Sequence, residues 1–342
     1  MAAATSKHAV AAINVERFVV THRYGGPDRV VCRSSAFGYL AMLRATPSGR
    51  GAMDLALTVN RQPGRLWAFL QFPLTRIVIA VLALLLVIAV IQIGAKAAGI
   101  VPHTAAGVIV AVLIMVATLA TYAAFVRMIE RRSVVELGSA GAAPEFGAGL
   151  LLGVVLFSLT MLVLWSLGCV EITTAGGWLA LGYPLLDALI AAVTEETLMR
   201  GVLFRIVEES LGSWIALALS AAVFGALHAF NPGATLTSSI AIALEAGVLL
   251  AAVFMVTRRL WMVMGLHTAW NFTEGGIFGA SVSGGDAHGM LSSRFHGSDV
   301  LTGGAFGPEA SIIAVLICLA AGVAFLWLAR KRGHFVRPFW RR

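Results

Sequence analysis

The chain has 342 residues, 59% of them hydrophobic and only 12% charged, against roughly 45–50% apolar and 25% charged in an ordinary soluble domain. This composition, with a mean hydropathy of +0.88, excludes a soluble globule and describes an integral membrane protein. The net charge of +8 does not point to nucleic acid, because the excess Lys and Arg sit in short segments beside apolar runs and no RNA-binding motif or long basic run accompanies them.

In chain order, residues 1–70 are mixed and polar, with Gly, Pro and Arg scattered through them. No apolar h-region follows the start, so no secretory signal is expected; the segment reads as cytoplasmic and partly disordered. From Asp54 onward the pattern is an ordinary lead-in to a first span, which makes Met53 a candidate start. Peptides from residues 1–52 in the mass spectrum of the natural protein would remove that idea. Eight apolar runs follow, at 76–95, 104–126, 148–168, 179–204, 213–230, 239–257, 261–280 and 311–329, each long enough to cross a hydrocarbon core of about 30 Å. The expected fold is an all-α, polytopic transmembrane bundle of about eight spans occupying 71–330. No internal repeat divides it, and a basic cytoplasmic tail follows at 331–342.

The basic residues set an orientation. Arg61, Arg65 and Arg76 precede the first run; Arg127, Arg131 and Arg132 follow the second. Arg200 and Arg205 end the fourth, Arg258 and Arg259 the sixth, and Arg330, Lys331, Arg332, Arg337, Arg341 and Arg342 follow the eighth. The opposite connections, 96–103, 169–178, 231–238 and 281–310, carry only Lys96 and Arg294. This alternation predicts both termini in the cytoplasm. Segment 281–310 holds Asp286, His288, His296 and Asp299 without fixed ligand spacing, and reads as a flexible Gly/Ser-rich loop, not a metal site. Cys32, Cys169 and Cys318 lie far apart without CxxC spacing, so neither a disulfide framework nor a thiolate metal site is expected.

Charge inside the apolar runs is the strongest functional signal, because ionisable groups at bilayer depth are costly. The stretch Thr194–Phe204 holds two adjacent carboxylates and an arginine. Glu196 and Arg200, spaced i, i+4, share a helix face as an ion pair. Glu195 points about 100° away, so the arginine cannot serve both and Glu195 needs another partner. In the fifth run Phe224-Gly-Ala-Leu-His228 brings a histidine, with Phe224 expected as packing. In the seventh, His267-Thr-Ala-Trp-Asn271 brings a histidine and an asparagine to one face. Spans four and five turn near Gly212, with Glu195 and His228 about equally far from it, so a helical hairpin sets them level, its tip projecting beyond the membrane. His267 lies about 12 Å of helix from Arg259. The polar groups are thus expected to meet in the cytoplasmic half of the bundle. A carboxylate that takes a proton from water, a histidine that relays it and donors for an oxyanion together make an acyl-hydrolysing site.

The three elements, EETLMR (Glu195 to Arg200), FGALH (Phe224 to His228) and HTAWN (His267 to Asn271), match EExxxR, FxxxH and HxxxN in order on separate membrane helices. In this the chain resembles the CPBP intramembrane proteases, which include the type II CAAX prenyl endopeptidases and bacteriocin-processing or immunity proteins. The resemblance covers roughly 120–280, and ERRSVVEL (Glu130 to Leu137) is similar to the polar segment that often precedes the family's domain. It implies an intramembrane endopeptidase, in a bacterial plasma membrane, acting on a peptide or protein substrate, membrane-bound or lipidated. Glu195 would activate water with help from His228, Glu196 and Arg200 would hold the geometry, and His267 and Asn271 would stabilise the oxyanion. A metal-dependent alternative stays open, with zinc on Glu195, His228 and His267, although the HExxH pattern of soluble zinc proteases is absent. Two competing readings are a non-proteolytic immunity or scaffold protein of the same fold and a proton-coupled transporter. The second would show paired broken helices in repeated halves, which are not found.

Overall fold

The computed structural model describes residues 64–286 and 289–341, together with a two-residue antiparallel pairing of β1 (Val20–Thr21) with β2 (Val31–Cys32). The rest of 1–63, including Met53, lies outside the described residues, as does His288. Residues up to Ala68 form a unit of their own; everything that follows belongs to the body at Phe69–Arg342.

The body is built on eight helices among the described residues. They are α1 (Pro73–Ala97), α2 (Ala105–Met128), α3 (Ala142–Ser166), α4 (182–211), α5 (Ser213–His228), α6 (Leu236–Thr257), α7 (261–277) and α8 (Ile312–Lys331). Each falls on one of the eight apolar runs. Local chemistry marks several starts. Pro73 opens α1, Thr104 accepts from the Gly107 amide to cap α2, Thr235 and Ser238 form a capping box for α6, and Ser311 accepts from the Ala314 amide to cap α8. Five helices, α1, α2, α3, α6 and α8, are long and apolar enough to cross a membrane unaided. Helix α5 is apolar but shorter, while α4 and α7 carry the charged and polar groups of the candidate site. Length and apolarity thus identify five spans, not the expected eight.

The helices divide into a lipid-facing shell and a buried centre. Leu82, Leu86 and Ile93 of α1, Ile109 and Val116 of α2 and Leu151 and Leu162 of α3 are exposed, an apolar surface that a bilayer accepts and water does not. Leu249–Val256 of α6 and Val263–Trp270 of α7 are buried on every side, as expected for helices enclosed by other helices. Contact between α3 and α7 depends on glycine. A Cβ at Gly149 would lie 2.1 Å from the Met262 carbonyl oxygen, and one at Gly265 2.2 Å from that of Phe146. Backbones this close are how membrane helices associate without a hydrophobic drive. Gly149→Ala is expected to cost about 1–3 kcal/mol through overpacking. Gly147→Ala, exposed on the same helix with no atom in the way, serves as the control: a thermal melt in detergent should drop for the first and hold or rise for the second.

Opposite ends of the bundle differ in charge. At one, α1, the segment after α2 and α4 are joined by Arg76–Glu130 at 3.1 Å, Arg76–Glu209 at 2.7 Å, Arg205–Glu130 at 2.9 Å and Arg132–Glu136 at 3.0 Å. Arg258 pairs with Glu208 at the same end, and ERRSVVEL supplies Glu130, Arg132 and Glu136. The tail docks here too: Ser213 and Val336 exchange hydrogen bonds, and His334 bonds the Met255 carbonyl. The α4–α5 turn is made by Gly212 at φ 83°, where a side chain would also strike the backbone at Pro338. Its tip is therefore packed against the tail.

At the other end, β3 (Val170–Thr174) pairs antiparallel with β4 (Leu291–Phe295), from Val170↔Phe295 to Thr174↔Leu291. Segment 281–310, expected as a flexible loop, is instead structured. It holds β4, the Ser281 hydroxyl bonds the Gly285 carbonyl, and the Ser283 hydroxyl bonds Glu309. The all-α expectation holds at 74% helix, with this sheet as the exception in the body. It joins two of the four lightly charged connections, and Gly284 packs on Pro232 of a third, so the connections separate by end as the charge alternation requires.

Candidate active site

Glu195 and Glu196 sit side by side near the middle of α4, but their surroundings differ completely. Glu196 is 0% exposed and Arg200, also 0% exposed, reaches its Oε1 at 2.9 Å. The same oxygen accepts from His267 Nδ1 at 2.8 Å. Arg200 then uses Nη2 on the carbonyls of Ala246 and Gly247, at 3.2 and 3.3 Å. Its guanidinium lies 4.8 Å from the centre of the Phe224 ring, a cation–π contact. Glu196 is thus committed to two donors from two helices. Glu195 has its side chain 37% exposed, and the His267 Nε2 lies 4.0 Å from it, too far for a hydrogen bond.

Irregular backbone surrounds these residues. Helix α4 is π-helical over Thr197–Phe204, α6 over Ala243–Gly247 and α7 over Phe272–Ile277. The first segment carries Arg200, the second presents the carbonyls it binds and the third follows directly on Asn271. Wider turns of this kind re-aim side chains and recur at functional sites.

His228 closes α5. Its Nδ1 bonds the Phe224 carbonyl one turn back at 2.8 Å, which leaves Nε2 for other chemistry. Phe224, expected as packing, is also the hub of the site: beneath Arg200, its ring centre lies 4.6 Å from that of His228 and 6.3 Å from that of His267. Two cavities meet at this pair. The wider is lined by Glu195, Leu198, Leu227, His228 and Asn231. The narrower is lined by His228, His267, Asn271, Glu245, Ser283 and Glu309. All six residues singled out from the motifs therefore lie in or directly behind two adjoining spaces, and His228 faces both.

Several features add to the sequence expectations or depart from them. His267 and Asn271 share a helix face and one cavity, but His267 spends its Nδ1–H on Glu196, so only Nε2 remains and it donates only when the ring carries both protons. Arg205 lies about 15 Å of helix from Glu195; Asn231, just past the end of α5, lines the Glu195 cavity, and Ser283 and Glu309 line its neighbour. Arg200, counted from the sequence as a charge at a span end, is a buried component of the site. Asn231, Glu245, Ser283 and Glu309 were missed. Glu245 gave a signal, a lone carboxylate in the apolar run 239–257; the others sit in connections whose folding was not legible.

For the zinc alternative, no three His, Cys, Asp or Glu side chains gather as a metal-ligand set among the described residues, and Glu195 approaches only His267, at 4.0 Å. His228 and His267 each bond a protein oxygen through Nδ1 and keep Nε2, as metal-ligating histidines also do.

The family model described as type II CAAX prenyl endopeptidase Rce1-like matches residues 175–273. This is shorter than the 120–280 suggested by the motifs, yet it contains all six motif residues. No curated protein and no solved structure matches the chain. Residues 175–273 are thus similar to the type II CAAX prenyl endopeptidases, a match that supports membership of the CPBP family, in a chain whose apolar helices are those of a membrane protein.

Proposed function

We propose that the protein is an intramembrane endopeptidase in which Glu195 activates the attacking water. The observation that carries this is the unequal fate of two neighbouring carboxylates: Glu196 is locked by Arg200 and His267, while Glu195 is left unclaimed at a cavity it shares with His228. A general base must be free to take a proton and close to where water can sit.

In the proposed reaction a water in this cavity gives a proton to Glu195 as its oxygen attacks the scissile carbonyl carbon. Asn271 donates to the resulting oxyanion, and His267 joins it when doubly protonated. The tetrahedral intermediate collapses by breaking the C–N bond, and the proton taken by Glu195 passes to the departing amine, with His228 as relay between the two cavities. Glu196 and Arg200 do not react; they fix His267 and the π-helical turn. The substrate is a peptide or protein segment entering from the lightly charged end.

The test is cleavage of a quenched peptide library by the detergent-purified protein beside Glu195→Gln, with and without chelator. Glu195→Gln is expected to lose about 10²–10⁴-fold in turnover with its melting temperature retained, and chelator should leave the wild type active. Cleavage that survives in Glu195→Gln, or that chelator abolishes and zinc restores, would overturn the mechanism.

A further inference from the structure

The proposed mechanism leaves three buried carboxyl groups without a role. Glu245 lies in the π-helical segment of α6, Glu274 in that of α7 and Glu309 in the turn Pro308–Ala310; all three are buried. Glu274 interacts electrostatically with both Glu309 and Glu245. Glu309 accepts from the Ser283 hydroxyl at 2.7 Å, and Glu245 from the Cys318 thiol at 3.5 Å. Arg200 reaches this cluster electrostatically, but its hydrogen bonds go to Glu196 and two backbone carbonyls. Among the described residues the three carboxyls form no metal-ligand set.

Three acids gathered out of water are costly whether charged or neutral, because each raises the cost of ionising the others. Their position suggests what relieves that cost. Glu245 and Glu309 line the cavity that also holds His228, His267 and Asn271, so they form the wall across from the proposed chemistry. One independent observation indicates that a ligand belongs there. Trp270, 4% exposed, lines the same cavity, and its indole N–H has no hydrogen-bond partner among the described residues. Such a donor suits a peptide carbonyl.

We propose that Glu245 and Glu309 form a subsite for a basic side chain, lysine or arginine, of the peptide substrate, with Glu274 as a supporting charge; the identification of the ligand as a substrate rests on the proteolytic reading above. A cation brought into this wall pairs with a carboxylate through charge-assisted hydrogen bonds in a water-poor space. A neutral side chain of the same length leaves the acids as they were, and an acidic one, or a free C-terminal carboxylate, is repelled.

The experiment uses the full chain carrying Glu195→Gln, so that a bound peptide persists. Fluorescence anisotropy would compare peptides identical except for lysine, norleucine or glutamate at one scanned position. At one register lysine is expected to bind about tenfold or more tighter than norleucine, since a site built to pair with a charge rejects the analogue lacking it. Adding Glu309→Gln, or separately Glu245→Gln, should shrink that ratio to within about threefold. Thermal melts identify folded variants, and either substitution suffices if the other does not fold. Equal lysine and norleucine affinities at every register would overturn the subsite, as would a ratio that both variants preserve. Wild-type protein that binds the lysine peptide but cleaves none of the series would overturn the proteolytic reading and leave the subsite standing.

Discussion

Arg200→Ala is expected to destabilise the protein by about 3–5 kcal/mol, the range for removing one partner of a buried ion pair. The pair is fully enclosed. The substitution would strand the Glu196 carboxylate with His267 alone, release the Ala246 and Gly247 carbonyls from their donor and empty the space above Phe224. The guanidinium joins α4, α5 and α6, and Glu196 ties in α7 through His267, so all four helices should loosen. Arg200→Lys should recover only part of the loss, because a single ammonium cannot reach a carboxylate and two carbonyls in the same geometry. Chemical denaturation in mixed micelles, wild type beside both variants, measures the effect. An Arg200→Ala protein with unchanged stability would mean that Glu196 and Arg200 do not form the buried pair. Activity should fall with stability, since the pair also fixes the ring of His267.

The Glu196–Arg200 pair was legible in the sequence because it is local: residues four apart on a helix meet, and a membrane penalises either one alone. The eight helices were legible for the same reason, as were the turn at Gly212 and the level of Glu195 with His228. What could not be read is tertiary. The second donor to Glu196 comes from α7, and no local rule assigns a histidine that distant in sequence. The π-helical segments are too short to alter a hydrophobic period, yet they aim Arg200 and present the carbonyls it binds. The 281–310 segment looked flexible because Gly and Ser dominate it; its order comes from pairing with β3 and from the closing of Ser283 on Glu309. Basic residues report which end a connection faces, and Arg200, counted among the end charges, is instead buried in the site.

His228→Ala and His267→Ala should separate catalysis from architecture. His228 is half-buried at the end of α5, and the bond it makes is to a carbonyl of its own helix. Removing it breaks little else, so stability should change by less than about 1 kcal/mol. As the proposed relay between two cavities it should nevertheless cost about 10²–10⁴-fold in turnover. His267 is buried and bonds Glu196 across two helices. Its loss leaves that carboxylate short of a donor, which costs about 1–3 kcal/mol in stability in addition to activity. His267→Gln, which keeps a side-chain amide donor within reach of Glu196, should restore part of the stability without restoring turnover. Melting curves and cleavage rates measured on the same preparations decide the matter. Equal stability losses for the two alanine variants would contradict the division of labour between a free histidine and a committed one. A His228→Ala protein with full turnover would move the proton relay to His267, the one ring that approaches both glutamates.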